Sequence, residues 1–115
     1  MTDMRGRFDE LPAEEVYPGV VRRSFTSDKA TVTRYSFAPG ATFPLHRHPQ
    51  QQTTLIEAGD VKMTVGDHAE PMSAGDWSVI EADVEHGIRG GAGGAQVLAI
   101  VIPPRASTDA YTVVG

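Results

Sequence analysis

Apolar residues in this chain alternate with polar ones over short runs, and intervals of three and four are nearly absent. Runs rich in Val, Thr, Ile, Tyr and Phe, each closed by Gly, Pro or Asp, predict strands at Val20–Phe25, Thr31–Phe37, Thr42–His46, Thr53–Ala58 and Val61–Val65. Further strands are expected at Glu70–Met72, Trp77–Ile80, Gly87–Arg89 and Gln96–Ile102, with a last one at Tyr111–Val113. The best helical candidate is a turn over Asp9–Val16, interrupted by Pro12 and ended by Pro18-Gly19. "EAGDV", "VGDH" and "SAGDW" place glycines where tight turns need positive φ, and "RGGAGGAQ" reads as a flexible surface loop. Many short strands at close spacing make the chain all-β, as a sandwich, a barrel or a jelly roll.

Composition narrows the function. The 115 residues suit one domain over 1–115 and bury a core without staples. With no cysteine, disulfides, thiolate metal sites and a cysteine nucleophile are excluded, so any metal takes nitrogen and oxygen ligands. Net charge is −5 with only 10 Lys plus Arg and no basic run, which argues against nucleic acid as a partner. No apolar run approaches membrane-spanning length, and the charged start "MTDMRGRFDELPAEEV" lacks the apolar core of a secretory signal. A cytoplasmic location is expected.

Candidate chemistry gathers in "PLHRHPQQQTTLIEAG", residues 44–59. In a strand, i and i+2 share a face, so His46 and His48 project together while Arg47 turns away. Gln52 can return to that face after Pro49, with Thr54 and Ile56 following it inward. His86, just before Gly87, offers a further imidazole. His68 lies in a hairpin turn and reads as solvated, and Tyr35 and Trp77 read as packing aromatics.

The spacing resembles a known family. Gly40-x5-His46-x-His48-x3-Gln52-x6-Gly59 is similar to the first cupin motif, at 40–59. Gly75-x5-Glu81-x-Asp83-x2-His86-x3-Gly90, at 75–90, keeps the spacing of the second, with Glu81, Asp83 and Gly90 replacing its Pro, Gly and Asn. The resemblance implies a single-domain cupin, a small β-barrel of the jelly-roll type, flanked by arms at 1–19 and 106–115. It implies one divalent transition metal (Zn, Ni, Mn, Fe or Cu) held by His46, His48, Gln52 and His86. Gln52 stands where most members have glutamate; an uncharged amide leaves the cation uncompensated, favouring Lewis acidity and an anionic substrate.

"HRHPQQQ", "GDWSVIEADVEHG" and "VLAIVIPPR" further resemble the cupins that linearise unsaturated uronates late in pectin breakdown. Arg105 falls on that subgroup's arginine and is the candidate catalytic residue, suited to gripping a carboxylate. The subgroup's tail acid falls on Ala99 and its aromatic on Val101, and Glu81 is the best substitute carboxylate. The reading is a metal-dependent enzyme isomerising, ketonising or cyclising a small oxygenated anion. Alternatives are the cyclase chemistry of aromatic polyketide cupins, an iron-dependent dioxygenase, and a non-catalytic ligand-binding module. A homodimer is expected, with the N-terminal stretch or the Tyr111–Val113 strand covering a sheet edge on the second copy.

Overall fold

The computed structural model describes residues 3–107 and 111–114. After a 3-10 turn at Phe8–Glu10 come β1 (Glu14–Tyr17), β2 (Val20–Thr26), β3 (Thr31–Phe37), β4 (Thr42–Arg47), β5 (Gln51–Val65), β6 (His68–Ser73), β7 (Trp77–Ile80), β8 (His86–Ile102) and β9 (Thr112–Val113). All ladders are antiparallel, and no α-helix occurs among the described residues. The all-β expectation holds.

Two long bent strands, β5 and β8, form the spine, paired from Gln51↔Ile102 to Val65↔His86. Each serves two sheets. The C-terminal half of β8 pairs with β3, and its N-terminal half pairs with β4. Likewise β5 carries β7 on its first half and β6 on its second. The result is a β7-β5-β8-β3-β2-β1 layer and a β6-β5-β8-β4-β9 layer that share their middle strands, as a curled jelly roll does. Tyr35, Phe37, Phe43, Ile56, Met63, Ile80, Ile88 and Val97 fill the space inside.

The bends correct the sequence expectation. Thr53–Ala58 and Val61–Val65 are one strand, as are Gly87–Arg89 and Gln96–Ile102. "RGGAGGAQ" is therefore no surface loop. Its glycines let backbones cross at the corner of β8, where residues 91–94 oppose only Asp60. A Cβ on Gly94 would lie 2.6 Å from the Phe37 carbonyl oxygen, one on Gly90 2.9 Å from that of Ala38, and one on Gly59 2.1 Å from that of Gly94. A glycine run signals a loop and a close crossing equally, so pattern alone misplaced it.

The N-terminus also departs from expectation. Leu11, preceding Pro12, is extended (φ −76, ψ 148), which stops the 3-10 turn at Glu10. Residues 14–17 then pair with β2 instead of coiling, joined through Gly19 at φ 78. Trp77 is no packing aromatic: it is 68% exposed on the outer face, whereas Tyr35 lies in the core. The strand ending at Val113 folds back on β4 of its own chain, and β1 covers β2, so both arms cover edges in cis.

Gly59→Ala and Gly66→Ala separate crossing from conformation. Both glycines have positive φ (73 and 62), but only at Gly59 does a Cβ meet backbone. Gly66→Ala should cost about 1 kcal/mol, the left-handed penalty alone. Gly59→Ala should cost more than about 3 kcal/mol or prevent folding, as urea titration would show. Equal losses would mean that the corner is not packed against backbone.

Candidate metal centre

A bulge in β4 prepares the site. Register slips between Phe43 and His46, so both side chains turn inward although an odd number of positions separates them. His48 follows two residues on and also points inward. His86 opens β8 beside His46, its register partner. Asp83, in the loop before it, adopts φ 64 and donates its backbone N–H to the His48 carbonyl at 2.9 Å. Aspartate tolerates the left-handed region better than most side chains, so Asp83 can stand at a motif position where glycine would be free of strain. From across the interior, Gln52 enters at the start of β5.

The three rings converge. Each of His46, His48 and His86 has one ring nitrogen within 4.8 Å of the others, and all three residues are buried. Ring centroids are 4.2 Å apart for His46–His86, 4.9 Å for His48–His86 and 5.7 Å for His46–His48. On the far side of each ring, Nδ1 meets a backbone carbonyl: Pro44 at 2.8 Å, Gln50 at 3.1 Å and Val84 at 2.9 Å respectively. These bonds place the ring proton on Nδ1 and leave Nε2 as a lone pair facing inward.

Gln52 completes the inner ring. Its Nε2 donates to Thr54 Oγ1 at 3.0 Å, which turns Oε1 toward the imidazoles. Oε1 then lies 3.1 Å from His48 Nε2 and 3.3 Å from His86 Nε2. An amide oxygen and three imidazole lone pairs thus face one another with no donor among them. Such a set repels itself unless a cation lies between, and nitrogen with amide oxygen suits a divalent transition metal. The residues fit the metal. Gln52 and Thr54 point inward as strand alternation predicts.

Charge around the site is positive. Burial first, then the neighbouring His86 ring, lowers the His46 pKa to about 3, against the upward pull of the Pro44 carbonyl. Burial lowers His86 to about 4, with His48 and Arg105 adding to the effect. His48 is lowered by burial and then by the Arg105 guanidinium. Arg105 is itself buried, anchored by its backbone N–H on Thr31 Oγ1 at 3.0 Å, and its Nε has no partner among the described residues. Its guanidinium carbon lies 6.0 Å from the Tyr111 ring, which in turn meets the His46 ring edge-on at 5.2 Å.

Other sequence candidates fall elsewhere. Glu81 is exposed and accepts from the outward-facing Gln51 amide at 3.3 Å, so it does not line the centre. His68 is exposed beside Glu70. Ala99 points inward between Thr33 and Thr54, and no aspartate or glutamate is buried among the described residues. Pattern reading missed Gln50, whose carbonyl fixes His48 and whose buried Oε1 has no partner among the described residues, and missed Tyr111 at the edge of His46. Nothing in the sequence marks the Pro44 and Val84 carbonyls. A cavity of about 20 Å³ touches His46, Gln52 and His86 on the side of Tyr35, Phe37, Phe43 and Ile88.

The depressed pKa values make stability sensitive to acid. Between pH 6.5 and about 4 the unfolded chain binds protons that the buried rings refuse, so stability is full above 6.5 and falls with pH. Each such ring contributes a slope of about 1.4 kcal/mol per pH unit. The exposed His68, raised by its hydrogen bond to Glu70, acts with the opposite sign, and His68→Gln removes that contribution. Chelator-treated His68→Gln protein should lose urea resistance steadily from pH 6.5 to 5. A flat profile there would mean that the rings titrate as in water.

The family described as "Cupin domain" matches residues 33–103. The search of curated proteins returned no match. Among solved structures, an RmlC-like cupin from Shewanella frigidimarina NCIMB 400 superposes with TM-score 0.83 at 19% identity, covering 91% of this chain and 95% of that one. KdgF from Halomonas sp. superposes with TM-score 0.79 at 21% identity, covering 89% and 97%. Oxalate decarboxylase from Lactobacillus farciminis, solved as a formate complex, superposes with TM-score 0.90 at 22% identity; this chain matches over 99% of its length but only 37% of that protein's. These identities speak for the fold.

Proposed function

The chain belongs to the cupin family, and from that premise we propose that it is a metal-dependent enzyme acting on a small oxygenated anion of the sugar-acid kind. The observation that carries this reading is the buried Arg105 guanidinium, whose Nε has no partner among the described residues and whose carbon lies 6.0 Å from the Tyr111 ring that meets His46. A buried cation beside a cation-binding cluster, with no carboxylate buried among the described residues to offset either, calls for an anion. Oxalate decarboxylases, similar in fold and known as a formate complex and with Mn(II) centres, add that metal and organic-acid chemistry is compatible with this scaffold.

His46, His48, His86 and Gln52 would hold one divalent transition ion, and that ion supplies Lewis acidity for polarising a carbonyl or hydroxyl oxygen. Gln52 keeps the set uncharged, so the charge of the site stays available to substrate. Thr54 holds the Gln52 amide in orientation, and the three backbone carbonyls hold the rings. Arg105 grips the substrate carboxylate through its planar fork. Isomerisation, ketonisation or cyclisation fits this machinery. Ala99 removes a proton carrier from the inner face, so the carrier is either solvent or the substrate itself. That same position favours the second reading, a module that binds metal and ligand without turnover.

Metal-loaded protein should convert at least one member of a panel of unsaturated uronates and keto acids, followed by NMR, without consuming oxygen. Arg105→Met should lower kcat/KM about 10- to 100-fold, one charged hydrogen-bonded contact, while metal content is unchanged. Oxygen consumption would shift the reading to a dioxygenase. Saturable binding without turnover would support the module.

Gln52→Glu tests the uncharged ligand set. It should tighten metal binding at least tenfold, about 1.4 kcal/mol, and slow turnover in competition and rate assays. Unchanged affinity would place the Gln52 oxygen outside the coordination shell.

A further inference from the structure

The metal centre is closed. His46, His48, His86 and Gln52 are all buried, and the cavity beside them measures about 20 Å³. That is room for about one water molecule, whereas sites for small molecules run to roughly 300 Å³ or more. An ion reaches the ligands, and a sugar acid reaches the ion, only if a wall moves. Most walls are fixed. β5 and β8 are paired along their lengths, the Asp83 loop is tied to the His48 carbonyl, and the Arg105 backbone is tied to Thr31.

The wall formed by β9 differs. It is the shortest strand among the described residues, and it lies on a sheet edge. Its hold on β4 consists of the pairs His46↔Val113 and Arg47↔Thr112, with the Val114 N–H donating to the Leu45 carbonyl at 2.9 Å. Thr112 and Val113 are exposed, so this segment buries little besides the Tyr111 ring that precedes them. Elements with so little burial are the ones that open locally. Tyr111 meets His46 edge-on at 5.2 Å and Phe43 at 5.4 Å, and its hydroxyl lies 3.0 Å from that of Tyr17. The Arg105 guanidinium carbon is 6.0 Å from the same ring.

We propose that β9 is a gate to the metal centre, with the Tyr111 ring as its bolt and the Tyr17 hydroxyl as its latch. Closed, the ring covers His46 and fills the approach between the ligands and Arg105. When the pairing with β4 and the hydroxyl contact release together, the ring leaves and the centre opens to ion and substrate. The substrate half rests on the reading of Arg105 as the carboxylate grip; the ion half does not. Because β9 pairs with the backbone of His46 itself, cover and ligand are joined at one residue.

The chain has no cysteine, so one engineered disulfide can lock the gate. Arg47 and Thr112 are register partners with exposed side chains, and paired positions lie roughly 4.5–5.5 Å apart at Cα, inside the disulfide range. Arg47→Cys/Thr112→Cys protein loaded with one equivalent of zinc is challenged with excess chelator, either oxidised or with both thiols blocked by methylation. Zinc release should be about tenfold or more slower in the oxidised form, since local opening is then barred. Lys62→Cys/Pro71→Cys locks β5 to β6 at the opposite edge of the layer and should release zinc equally fast in both forms. Tyr17→Phe keeps the ring on Phe43 and removes the latch, so release should be about 2- to 10-fold faster, the worth of one neutral hydrogen bond. An Arg47→Cys/Thr112→Cys rate unchanged by oxidation would overturn the gate, and so would equal slowing of the Lys62→Cys/Pro71→Cys protein. Every arm reads zinc release from loaded protein, so the gate and the catalytic reading fail separately.

Discussion

Four lone pairs aimed at one point are the constraint on which this molecule is built. Neutral imidazoles and amides are ordinarily placed so that donors meet acceptors. Here the Nδ1–H donors of His46, His48 and His86 are spent on the carbonyls of Pro44, Gln50 and Val84, and the Gln52 amide donor is spent on Thr54. Only acceptors remain at the centre. A bound cation turns that frustration into affinity, and burial keeps protons from competing at His46 and His86 down to about pH 4.

The fold exists in large part to bring those groups together. His86 pairs with the end of β5, whereas Gln52 lies at its start and pairs with Val101. The two meet only because β5 and β8 bend through the corner at Gly59, Gly90, Gly91 and Gly94, where an added Cβ would run into neighbouring backbone. The β4 bulge and the left-handed Asp83 then correct the aim of the last residues. Steric permission at the corner and electrostatic need at the centre are thus two ends of one design.

Much of this was legible in the sequence because alternation has a simple period. It placed His46 with His48, turned Gln52, Thr54 and Ile56 inward, and located most strand cores. It failed where one residue type serves two purposes. Gly59 and the run at 90–94 looked like turns, although they permit a crossing, and so two long strands appeared as four short ones. Trp77 looked like core because alternation cannot say which face of a sheet is covered. Glu81 looked like a candidate acid because a motif position has no direction in space. Backbone carbonyls, which fix all three rings, leave no trace in side-chain pattern at all.

The central claim is that the ring protons sit on Nδ1 and the inward nitrogens are ligands. Long-range nitrogen–proton NMR of the histidine side chains, during a zinc titration, tests it directly. The account predicts that one equivalent of zinc shifts the Nε2 resonances of His46, His48 and His86 together while each Nδ1 keeps its proton. Protonated Nε2 atoms that one equivalent of zinc leaves unmoved would contradict it. The Gln52 oxygen would then be an acceptor for ring protons, and the cluster a closed hydrogen-bond network.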